Sequence, residues 1–127
     1  TYHGCAMPPH HQIASEWAWG DEQHVLENRA RYREKFAAVT PILAEVMTVT
    51  SPEAGFYLWP ETPINDETFA QHLLERAAVK VLPGRYLARD TEQGNPGENR
   101  IRLALVAELE NCVEAAERIA HAIKQGW

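Results

Sequence analysis

Two arginines, Arg100 and Arg102, stand two apart in the β-forming run Arg100–Val106. Side chains along a strand alternate between its faces, so both guanidinium groups leave one face while Ile101, Leu103 and Leu105 leave the other, toward a core. A planar guanidinium donates two parallel hydrogen bonds to a carboxylate or phosphate, which makes such a face suited to anion capture. The same spacing also describes a solvated edge strand, the commoner fate of exposed charge. Spacing alone does not separate the two.

Other chemistry-bearing residues are scattered. Six histidines lack metal-ligand spacing: His10 and His11 are adjacent, about 100° apart on a helix, and His3, His24, His72 and His121 form no Cys/His cluster. Cys5 and Cys112 form no Cys-x-x-Cys pair, and a thiol nucleophile would need a base that neither has nearby in sequence. Cys112 falls beside an apolar helical stripe and is expected to be a buried, inert thiol. Gly94-Asn95-Pro96-Gly97 lacks the Gly-Lys-Ser/Thr ending of a phosphate loop and reads as a turn. Trp17, Trp19 and Trp59 read as core or subunit-interface aromatics.

These residues must be carried by one modest domain. The chain has 127 residues, 45% of them hydrophobic, enough for a real core. Its net charge of −6 argues against a nucleic-acid surface. No apolar run approaches a membrane span and no signal peptide is visible, so a cytoplasmic protein is expected. Thr1-Tyr2-His3-Gly4-Cys5 reads like the middle of a protein, and the sequence is expected to be a fragment.

Pro8-Pro9 should open a short helix, His10–Trp19, ended by Gly20. Asp21 can cap a long helix in which Val25, Tyr32, Phe36, Val39, Leu43 and Val46 form one stripe, with a kink at Pro41. The charged residues between them should be solvated. Met47–Thr50 and Gly55–Trp59 read as strands. Asn65 or Asp66 should cap a helix to about Ala78, burying Phe69, Leu73 and Ala77. Lys80–Leu82 should be a short strand stopped by Pro83-Gly84. After the arginine strand, Glu108–Lys124 should be a helix with Leu109, Val113, Ala116, Ala120 and Ile123 inward. The order predicts a small α/β (α+β) two-layer sandwich hung on a long helix. Residues 1–20, 21–46 and 47–127 are expected to be an interface segment, a linking helix and a small domain.

Pro52-Glu53-Ala54-Gly55-Phe56-Tyr57-Leu58-Trp59, Val79-Lys80-Val81-Leu82-Pro83-Gly84 and Arg102-Leu103-Ala104 together resemble the C-terminal part of the fold-type I, class I/II pyridoxal-phosphate-dependent aminotransferases. The resemblance runs essentially the whole chain. Thr1–Met7 and Asn95-Pro96-Gly97 … Arg100–Val106 further resemble the family's branch in the lysine and diaminopimelate pathway. It implies a mainly antiparallel sheet covered by helices, an amino-acid and keto-acid substrate, a homodimer, and pyridoxal phosphate as cofactor. It also implies that Arg102 holds the substrate α-carboxylate. Arg100 shares that face and is expected to be structural or solvated, with help to a dicarboxylic substrate as the other option. Tyr2, His3 and Cys5 would approach a neighbouring subunit's cofactor or substrate, or be loop residues.

The family's Schiff-base lysine and the aspartate facing the pyridine nitrogen would lie upstream. Lys35, Lys80 and Lys124 are not in its Ser-Lys context, so this chain alone is expected neither to bind the cofactor covalently nor to catalyse. The arginine face would also serve a non-catalytic module that binds an amino acid. Related enzymes of the same fold run decarboxylation or β-elimination.

Overall fold

The computed structural model describes Gly4 and residues 6–126. Contacts divide the chain into two compact units, Thr1–Arg31 and Tyr32–Trp127. The boundary falls inside a single long helix.

In the first unit, α1 (Pro9–Gly20) starts on a proline, whose missing N–H costs nothing in a first helical turn. α1 buries no residue, and Trp17 and Trp19 are 78% and 85% exposed. The core role expected as one option for these two tryptophans is therefore not realised within this unit. Asp21 opens the next helix, α2 (Gln23–Ala44), by accepting the Gln23 backbone N–H at 3.1 Å.

In the second unit, α2 contributes Phe36, Val39 and Leu43 to the core at the spacing expected of an amphipathic helix. Pro41 lies within the helix, and the chain leaves helical geometry three residues later. Val46 and Met47 both donate their N–H to the Leu43 carbonyl. That unwinding turn takes in Met47, and residues 48–50 are irregular, so the strand expected at Met47–Thr50 does not form.

The sheet has three antiparallel strands in the order β1-β3-β2: β1 (Tyr57–Leu58), β2 (Leu82–Pro83) and β3 (Ile101–Ala104). β2 starts two residues later than the expected Lys80–Leu82 and includes Pro83, the residue expected to stop it. A proline without an N–H is tolerated because β2 is an edge strand. A short 3₁₀ helix, Gly84–Leu87, follows.

Two helices pack against each other and the sheet: α3 (Asp66–Ala77) and α4 (Leu109–Gln125). Asn65 caps α3 by accepting the N–H groups of Glu67 and Thr68, and Phe69, Leu73 and Ala77 are buried as expected. On α4 the inward stripe is rotated from the expected one. Cys112, Ala116, Ile119, Ala120 and Ala122 are buried, while Leu109, Val113 and Ile123 are half-buried.

Candidate functional site

Cross-strand partners share a face, so the register assigns every sheet residue to a side. Leu58 opposite Leu103 and Pro83 opposite Ile101 are buried. Tyr57 opposite Ala104 and Leu82 opposite Arg102 form the other face, which is open or half-open. The bridge between Glu61 and Arg100 continues the β1–β3 register and adds both residues to the open face.

The two arginines on this face have different surroundings. The Arg100 guanidinium is 2.7 Å from the Glu61 carboxylate and donates to the Trp59 carbonyl at 3.3 Å. Its charge is already matched. Among the described residues Arg102 faces no carboxylate; its guanidinium carbon lies 5.9 Å from the centroid of the Tyr57 ring. The sheet thus presents one arginine paired with a carboxylate and one half-buried arginine that has no carboxylate partner among the described residues. Ile101 and Leu103, both buried, anchor the strand between and beyond them. Lys35 donates to the Leu105 carbonyl at 3.1 Å just past the strand end.

A second cluster, invisible in the sequence pattern, locks the approach to β3. Asp66 is fully buried and accepts from Arg85 Nε at 2.8 Å, from the Arg85 backbone at 3.1 Å and from the Asn99 backbone at 3.4 Å. Burial alone would raise the Asp66 carboxyl, but the Arg85 guanidinium and these N–H groups outweigh it and hold it below the usual carboxylate range. Asn99 directly precedes Arg100, so this lock fixes the start of the arginine strand. Beside it, Gly84 and Gly97 meet backbone to backbone. A Cβ on either would overlap the other's main chain, and the Gly84 N–H donates to the Arg100 carbonyl at 2.7 Å. Only the reading of Gly94–Gly97 as a turn was available from sequence; partners distant in the chain carry no local signal.

Tyr2, His3 and Cys5 lie outside the described residues. Cys112 is buried, and burial pushes its thiol up from the ordinary range. No helix among the described residues is long and apolar enough to cross a membrane.

Residues 4–119 match the family described as aminotransferase class I and II. The chain belongs to this family. An aminotransferase from Neisseria meningitidis Z2491 shares 55% identity and superposes with a TM-score of 0.88, over 94% of this chain and 31% of that one. A probable N-succinyldiaminopimelate aminotransferase from Thermus thermophilus shares 36% identity with a TM-score of 0.61, over 72% of this chain and 24% of that one. An LL-diaminopimelate aminotransferase from Desulforudis audaxviator is 34% identical over 91 residues, 69% of this chain and 22% of its own length. The chain spans less than a third of the length of the aminotransferases it matches.

Class I and II aminotransferases generally depend on pyridoxal phosphate. Two of the three lysines and the glycine loop are already engaged within the chain. Lys35 and Lys124 are engaged with the Leu105 carbonyl and Glu45. The glycine loop spends its N–H groups internally: Gly94 on Thr91, Gly97 on the Asn95 side chain and Glu98 on the Asn95 carbonyl. The open face of the sheet instead carries the two arginines, one paired with Glu61 and one beside the Tyr57 ring.

Proposed function

We propose that this chain is the substrate-carboxylate-binding part of a succinyldiaminopimelate transaminase, which exchanges an amino group between glutamate and 2-succinylamino-6-oxopimelate. The observation that carries the reading is Arg102: a guanidinium with no carboxylate partner among the described residues, on a strand anchored by two buried neighbours. Held this way, the fork would take the α-carboxylate bidentately and fix the orientation of the substrate's reacting carbon. The likeness to the Thermus thermophilus structure, whose name carries the succinylated substrate, supports the substrate choice. The complete enzyme would act as a homodimer in the cytoplasm, use pyridoxal phosphate, and close this small domain over its substrate.

The test is Arg102→Ala in the full-length enzyme. We expect kcat/KM to fall about 10²–10³-fold with a raised KM, in line with truncating one side of a hydrogen-bonded charge pair. Wild-type kinetics in that variant would refute the assignment. A second reading keeps Arg102 and drops the succinyl group, as the name of the Desulforudis audaxviator relative suggests. Comparing free and N-succinylated diaminopimelate as amino donors distinguishes the two.

A further inference from the structure

The face that carries Arg102 also supplies what holds it. Tyr57 sits on β1, next to β3, and the register puts it on the same side of the sheet as Arg102 and one step diagonal to it. Its ring centroid is 5.9 Å from the Arg102 guanidinium carbon, within reach of the attraction between a cation and a ring's electron-rich face. The ring is itself fixed: Phe56 meets it edge-on at 5.6 Å, and Tyr32 of α2 backs Phe56 at 6.3 Å. Tyr57 is 40% exposed, so core packing does not explain a large aromatic there. A carboxylate at this position would compete with bound anions, as Glu61 does at Arg100. A ring steers the guanidinium without occupying its donors.

We propose that Tyr57 is a positioning residue for substrate-carboxylate binding, its ring holding the Arg102 guanidinium with the donor fork turned outward. This rests on the reading of Arg102 as the α-carboxylate ligand, and the experiment separates the two. In the full-length holoenzyme, steady-state kinetics with glutamate as donor are compared for Tyr57→Phe, Tyr57→Leu, Arg102→Ala and the Tyr57→Leu/Arg102→Ala double variant. Tyr57→Leu should raise KM about 2–5-fold with kcat little changed, the scale of an exposed cation–ring contact. Tyr57→Phe keeps the ring and should stay near wild type. In the Arg102→Ala background, Tyr57→Leu should cost nothing further, because the two residues act as one unit.

Wild-type KM in Tyr57→Leu, or the same penalty with and without Arg102, would overturn the proposal while leaving Arg102's role standing. A Tyr57→Phe loss equal to that of Tyr57→Leu would also overturn it, since the hydroxyl would then be what matters. Wild-type kinetics in Arg102→Ala would remove both.

Discussion

At the scale of single residues, environment separates two arginines of identical chemistry. Arg100 is 33% exposed and Glu61 52% exposed, so their ion pair is well solvated and contributes about 0.2–1 kcal/mol at most. Arg100→Ala in the full-length enzyme should therefore change kcat/KM by less than about threefold, against the much larger loss at Arg102; equal losses at the two positions would contradict this division. Asp66 is the opposite case, a carboxylate with no exposure. Its folded-state pKa lies below its unfolded value, so the stability it contributes is fully present above about pH 4 and disappears as pH falls through the folded value. Asp66→Asn should lower stability by about 1–3 kcal/mol near neutral pH. In urea titrations the gap between variant and wild type should close as the medium is acidified below about pH 4. A gap that persisted or widened in acid would show that the carboxylate's charge is not what matters there.

Elements show where local sequence suffices and where it does not. α3 was legible almost to the residue because its signals are local: Asn65 caps the start, and Phe69, Leu73 and Ala77 recur at helical spacing. The alternation that puts Arg102 on an open face is equally local. The presence of β2 was legible but its bounds were not, since a strand two residues long is defined by its partner rather than its own pattern, and the strand expected at 47–50 is absent. The pairing of Arg100 with Glu61, the Asp66–Arg85 lock and the Gly84–Gly97 contact all join segments distant in sequence, and no periodicity announces them. At the other end of α3, Ala78 is held in the left-handed region at φ 49°, its N–H bonded to the Leu73 carbonyl. An L side chain is strained there and glycine is not. Ala78→Gly should raise the chain's stability by about 0.5–1 kcal/mol, read as a higher urea midpoint at unchanged m. A drop would mean that the alanine's contacts outweigh its strain.

The whole chain divides unevenly, and that division is open to test. In Thr1–Arg31 no described residue is buried: α1 is exposed apart from a half-buried Ser15, and in the α2 segment of this unit Val25 is no more than half-buried. In Tyr32–Trp127 a continuous core joins Phe36, Val39 and Leu43 to Leu58, Phe69, Leu73, Ile101, Leu103 and Ile119. The same α2 is thus anchored through one half and unanchored through the other. Local opening free energy follows buried apolar contact, so the two units should differ in how readily their backbone is cut. In brief digestion by trypsin, Arg29 and Arg31 should be cleaved well before Arg76, Arg85 and Arg118, leaving a resistant piece that begins near Tyr32. Mass spectrometry of the early products decides it. Cleavage within α3 or α4 at the same rate as at Arg29 would show that the core of the second unit does not hold its helices as its burial implies.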